Sequence, residues 1–144
     1  MLSGSPASIV ARDATPTMVA NKDPNCGCCS GWVEHVRAAG FYTRVNEVSD
    51  LAPLKSQLLI PAALASCHTA QIEGYVIEGH VPASAIKRLL SERPSAIGLA
   101  VAGMPVGSPG MEVPGAPDEV FHVVLFGLSG QRVYAKFKGA QELL

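Results

Sequence analysis

The chain reads as an α/β protein, a central mixed sheet flanked by helices, and three features predict it. Strand-like runs alternate with helical stretches through the first half of the sequence. A two-residue hairpin signal, Glu73-Gly74, and a third helical stretch follow. The last stretch, Glu119 to Lys138, consists of two strand-like segments split by Ser129-Gly130. At 144 residues and 48% hydrophobic composition, there is material for one domain with a single core.

Taken in order, Thr17–Lys22 is a short strand that ends at the turn-forming run Asp23-Pro24-Asn25. Trp32, Val36 and Ala39 then recur at helical spacing, and Gly40 stands where a helix C-cap belongs. Phe41–Val48 alternates as a strand, and Ser49 or Asp50 can cap a second helix to about Leu59, with Pro53 tolerated in its first turn. Ala70-Gln71-Ile72 and Tyr75-Val76-Ile77 flank the hairpin turn, and Pro82 opens a third helix, Ala83 to Glu92, halted before Pro94. The order β-α-β-α-β-β-α is the thioredoxin-like plan, with helices on both faces of the sheet. From Pro94 to Pro117, repeated Gly and Pro break regular structure, and this Gly/Pro-rich loop carries Met104 and Met111. The final pair of segments is a C-terminal β-hairpin added to that plan. The expected organisation is a flexible N-terminal tail, residues 1–15, and a folded domain, residues 16–140.

Charge and motif content exclude several functions. Eleven basic against twelve acidic residues give a formal charge of -1, and no basic stripe suited to nucleic acid is present. No apolar run reaches the ~18 residues of a membrane span. Met1–Asp13 has neither a basic start nor a continuous apolar stretch, so it does not read as an intact export signal. It fits either a cytoplasmic protein or a mature form whose leader is absent. The glycines after Gly98 lack the strand–helix context of a phosphate loop, and no nucleophile elbow supports a hydrolase. Glu73, Glu78, Glu112 and Glu119 are scattered and are expected to be solvated.

The chemistry is concentrated in sulfur. Three of the four cysteines are Cys26, Cys28 and Cys29, at the junction between the first strand and the first helix. The fourth, Cys67, precedes His68. At a helix N-terminus, exposed amides and the helix dipole stabilise thiolates. Cys26-x-x-Cys29 suits disulfide exchange, with Cys26 attacking and Cys29 resolving. Cys28 would be a spare nucleophile in such a site, whereas a metal site gains a donor from it. A four-thiolate zinc or iron–sulfur centre is possible by count, but its ligands commonly come as separated pairs. Soft Cu(I) accepts low coordination, bridging thiolates and thioethers, so cysteines near a methionine-bearing loop point to Cu(I), with Ag(I) as the alternative soft ion. The expected metal ligands are Cys26, Cys28, Cys29, Cys67, Met104 and Met111. In a regular strand His68 would face away from Cys67, and His80 would merely lie near a helix start. His35 is expected on a helix surface, and Trp32 in the core beneath the cysteines.

Four segments in order resemble the CopG-type copper-resistance family: Cys26–Trp32, Pro61–Thr69, Gly74–Pro82 and Gly98–Glu112. The similarity runs from about Met18 to about Lys138. It implies a thioredoxin-like domain exported by Gram-negative bacteria and associated with copper or silver resistance. It also implies copper held by the cysteines, as one ion or a multi-copper thiolate cluster, with a redox role proposed. The family's sulfur motif falls on Cys26, Cys28, Cys29 and Cys67, and its methionine loop on Met104 and Met111. On that basis the mature chain is expected in the periplasm, with metal ions and other copper-handling proteins as partners. The family's usual hydrophobic leader is not found in this sequence.

Overall fold

A computed structural model describes residues 16–144; the expected tail, residues 1–15, lies outside them. The strands are β1 (Thr17–Lys22), β2 (Tyr42–Glu47), β3 (His68–Ile72), β4 (Tyr75–Glu78), β5 (Gly98–Ala100), β6 (Val120–Gly127), β7 (Gly130–Lys138) and β8 (Gln141–Leu143). The helices are α1 (Gly27–Ala38), α2 (Ala52–Gln57) and α3 (Ala83–Glu92), with a 3-10 turn at Ala62–Leu64. One eight-stranded mixed sheet has the order β2-β1-β3-β4-β5-β6-β7-β8. β1 runs parallel to β2 and β4 parallel to β5, while the other neighbours are antiparallel. Each parallel pair is joined through a helix, as parallel strands require a crossover connection.

Local chemistry explains the element ends. Gly40, at φ +105°, closes α1: its N–H bonds to Arg37 O and that of Phe41 to Val36 O, so the orphan carbonyls of the last turn are satisfied. Leu51 is the N-cap of α2, and Asp50 Oδ1 accepts the Ala52 N–H just ahead of it in an Asx turn that leads into the helix. Leu59, at φ 63°, then turns the chain out of that helix, two residues after its last turn. The Glu73-Gly74 turn has both residues at positive φ, the hairpin geometry that leaves Ile72 paired with Tyr75.

Apolar residues fill both faces of the sheet. Trp32 and Val36 of α1 and Ile86 and Leu89 of α3 pack on Met18, Ala70, Ile77, Leu99, Val123 and Phe137. On the opposite face, Ile60 and Leu64 cover Val76, Ala100 and Phe126.

Three expectations are revised. The stretch from Pro94 to Pro117 is not wholly irregular: Gly98-Leu99-Ala100 forms β5, the strand that joins β4 to the C-terminal hairpin. Three residues, one of them glycine, carry too little periodicity to be seen in sequence. The last hairpin turns at Leu128-Ser129, with Gly130 paired to Gly127, and β8 extends the sheet beyond it. Glu78 is not solvated but fully buried. β4 is an interior strand covered on both faces, and its carboxylate is held by Lys55 Nζ at 2.5 Å, Thr69 Oγ1 at 2.6 Å and the Ser66 N–H at 2.7 Å.

Candidate metal centre

The strand directions bring the sulfur residues to one rim of the sheet. β1 leaves that rim at Lys22 and leads into Cys26, Cys28 and Cys29. β3 is antiparallel to it, with His68 paired to Lys22, so the residue entering β3, Cys67, lies at the same rim. β4 and β5 are parallel and also end there, leading to His80 and to Met104. Four connections far apart in sequence therefore share one opening.

The cysteine turn is built before the helix begins. Asp23 Oδ1 accepts the Asn25 N–H and Asp23 O accepts the Cys26 N–H, which makes Cys26 the N-cap of α1. Cys28 and Cys29 fall in the first turn, which holds no acidic residue to offset the helix dipole. Cys26 and Cys29 are joined as a disulfide with Cα atoms 5.4 Å apart, while Cys28 and Cys67 are free thiols. Cys29 is wholly buried, and the other three sulfurs are partly exposed.

The four cysteine sulfurs lie within 4.8 Å of one another. Cys28 Sγ is 3.4 Å from Cys26 Sγ, 3.8 Å from Cys67 Sγ and 3.5 Å from Met104 Sδ. Two thiolates sharing a tetrahedral ion at ~2.3 Å stand roughly 3.8 Å apart, so Cys28 is close to ligand spacing from Cys26 and Cys67. Met104 is thus in sulfur contact. Met111 makes no sulfur contact with the cluster among the described residues; its backbone closes a turn with Ser108 O and the Gly107 N–H.

Two histidines complete the group, and reading them from the sequence as bystanders missed their placement. His80 is wholly buried, its Nε2 3.0 Å from Cys67 Sγ and its Nδ1 2.6 Å from Pro109 O. His68, also buried, places Nδ1 3.4 Å from the same sulfur under the Trp32 ring, at a centroid distance of 4.4 Å. The strand-alternation argument against His68 fails because β3 begins at His68, leaving Cys67 in the irregular segment before it. The adjacency Cys67-His68 and the run Gly79-His80-Val81-Pro82 were the available signals. Trp32 lies in the core as expected, anchored by Nε1–H to Val81 O at 2.8 Å. His35 is half-buried rather than a surface residue, accepting the Ala83 N–H at the start of α3.

Burial sets the electrostatics. Desolvation pushes the Cys67 thiol up to about 11, with Ser66 opposing through a hydrogen bond and Cys28 adding to the rise. Desolvation, helped by His80 and Lys55, lowers His68 to about 3, and burial also lowers His80. In the metal-free state the inner wall is therefore neutral: a thiol against two uncharged imidazoles. A metal that enters must displace the Cys67 proton.

Ser66 connects the two loops. Its N–H reaches Glu78, and its Oγ–H donates to Gly103 O at 2.5 Å, one residue before Met104. The buried carboxylate thus sets the segment carrying Cys67, and that segment holds the loop carrying Met104.

A family model described as DUF411, a protein family of unknown function, matches residues 64–111. Two solved structures, Form 1 and Form 2 of the copper resistance protein CopG, share 41% identity with the chain at TM-score 0.81. The matches cover 88% of this chain and 100% of the other for Form 1, and 86% and 99% for Form 2. The chain belongs to the CopG copper-resistance family. No curated protein matches the sequence. In this CopG-family chain, the cysteine–histidine cluster is a group able to bind metal, and no described helix is long and apolar enough to cross a membrane.

Proposed function

We propose that this CopG-family protein binds Cu(I), with Ag(I) as a second soft cargo, in the periplasm as part of metal resistance. Cys26, Cys28, Cys29 and Cys67 supply the thiolates, Met104 a thioether, and Met111 a further thioether on the same loop. One observation carries the reading: four cysteine sulfurs within 4.8 Å of one another with Met104 Sδ at 3.5 Å from Cys28, a donor set soft enough to favour cuprous ion over harder metals. The βαβ and ββ units around β1–β4, with helices on both faces, support the thioredoxin-like reading of this framework. In it, Cys67 occupies the loop beside the C-x-x-C turn.

The Cys26–Cys29 disulfide favours a redox role for the same site. Its reduction takes two electrons and two protons and yields two thiols. Each Cu(I) oxidised to Cu(II) supplies one electron, so two copper ions balance one disulfide. Copper handling would then be coupled to the number of available thiolates. The same bond also suits a thiol–disulfide oxidoreductase. There the reduced pair acts: the Cys26 thiolate attacks a partner disulfide, releasing one partner thiol, and Cys29 then attacks Cys26 in the mixed disulfide, releasing the second and re-forming the Cys26–Cys29 bond, so the partner is reduced by two electrons as the pair is oxidised.

Anaerobic Cu(I) titration of the reduced chain against a competing chelator separates the readings. Copper reading: tight uptake, weakened at least ~10-fold by Cys67→Ser because a thiolate is lost from the ligand set. Disulfide reductase activity that survives both Cys67→Ser and Cys28→Ser, with no chelator-resistant copper, would overturn it in favour of the exchange enzyme.

A further inference from the structure

We propose that Lys55 and Glu78 form a buried strut that positions Cys67 and Met104 from the far face of the sheet, Lys55 fixing the Glu78 carboxylate and the carboxylate fixing Ser66; this rests on the copper reading above.

The strut lies on the face away from Trp32. Along β4, Ile77 packs with α1 and α3, whereas Val76 packs under Ile60 and Leu64, so strand alternation puts Glu78 on that second face. Thr69 is its neighbour across the β3–β4 ladder. α2 buries none of its own residues, yet it delivers Lys55 to both: Nζ reaches Glu78 Oε2 at 2.5 Å and Thr69 Oγ1 at 2.8 Å. The Thr69 hydroxyl in turn donates to Glu78 Oε1 at 2.6 Å, which closes a ring of three side chains.

Stability does not account for this arrangement. Burying a cation with a carboxylate costs desolvation, and well-packed apolar side chains of similar size serve a fold as well or better. What they could not do is accept the Ser66 N–H. That bond, 2.7 Å to Glu78 Oε2, lies one residue before Cys67. Ser66 is wedged as well as tethered: a Cβ on Gly79 would stand 2.7 Å from Ser66 Cβ and 2.5 Å from Val101 O, so only bare backbone lets the segment cross there. The Ser66 hydroxyl then carries the tether on to Gly103 O at 2.5 Å, next to Met104. Two donor-bearing loops therefore hang from one carboxylate, whose place is set by Lys55. Partners behind a ligand that fix its direction commonly matter tenfold or more to metal affinity.

Two charge-free pairs separate positioning from folding. Lys55→Met with Glu78→Gln keeps an acceptor for the Ser66 N–H; Lys55→Met with Glu78→Leu removes it. Both avoid an unpaired buried charge, so both should melt near the parent temperature. Each full-length chain is titrated anaerobically in reduced form with Cu(I) as its acetonitrile complex against a competing chelator. In the metal-free chain, alkylation of Cys67 relative to Cys28 by iodoacetamide is followed by peptide mapping. The glutamine pair should bind Cu(I) within about twofold of the parent, while the leucine pair should bind about tenfold or more weakly and alkylate Cys67 severalfold faster relative to Cys28. A leucine pair with parental affinity and alkylation would reduce Lys55 and Glu78 to parts of the fold and overturn the proposal. Equal loss in both pairs would overturn the route through Ser66. In the parent, the Ser66 amide should exchange with solvent as slowly as the β4 amides although it lies outside any strand. Fast exchange would overturn the tether whether or not the leucine pair folds. A parent that takes up no Cu(I) would overturn the copper reading, and the alkylation ratio and amide exchange would still decide the strut.

Discussion

His68 shows how a single buried side chain links acidity to stability. Its imidazole sits under Trp32, beside His80, and burial lowers its pKa from 6.5 to about 3. The sign follows from proton counting: between those values the unfolded chain binds a proton that the folded chain refuses. Stability of the metal-free protein is thus retained above pH 6.5 and lost progressively as the pH falls toward 3, by up to a few kcal/mol. Urea unfolding at a series of pH values should show this slope, and His68→Asn should flatten it. A wild-type midpoint that does not change across the window would refute the assignment. The residue scale is also where sequence reading was weakest. Cysteine identity and spacing made the grouping of Cys26, Cys28 and Cys29 at a helix start legible, and Cys67 joined it through the expected place of the segment before β3. His68, His80 and Glu78 were not legible, since their roles come from which strand lies inside the sheet and where β3 begins.

At the scale of elements, the loop from Val101 to Glu119 is a structural part of the centre. Its hydrogen bonds run from Ser108 N–H to Pro105 O, from Gly107 N–H to Met111 O, and from Glu119 N–H to Val106 O. It presses on α1 at Gly110, whose φ of +91° is open to glycine and whose Cα lies 3.0 Å from where a Cβ on Gly31 would stand. Gly110→Ala should therefore cost about 1–3 kcal/mol and lift the loop from the cysteine turn. Thermal unfolding measures the first effect. Faster peroxide oxidation of Met104, compared with the unaltered chain, measures the second. Unchanged melting and oxidation would mean that the loop does not need this contact. From its length and its Gly and Pro content the sequence predicted a long irregular loop here, either functional or disordered. It could not show β5, whose three residues are defined by pairing with Val76–Glu78 rather than by their own pattern.

For the whole molecule, most elements were readable because each carries its own boundary chemistry. β1 and α3 appear with the limits expected from Asp23-Pro24 and from Pro82 and Pro94, and Gly40 ends α1 as its position implied. What the chain could not announce was sheet order, since long-range pairings such as β5 with β6 leave no local periodicity. That order places every donor-bearing connection at one rim. The rim opposite carries Glu73-Gly74, the Pro94–Ile97 approach to β5, and the Leu128-Ser129 turn. Leu128 is 89% exposed there and takes no part in the core. The molecule is therefore polar in the sense of having a working end and an idle end. A short epitope or dye-labelled insert between Leu128 and Ser129 should leave Cu(I) uptake within about twofold of the parent, because loop tips tolerate insertion. The same insert between Ser66 and Cys67 should abolish uptake. Surface capture through the idle end would then hold every molecule with its cargo port facing the solution, so exchange with a second protein could be followed on a sensor chip without steric interference.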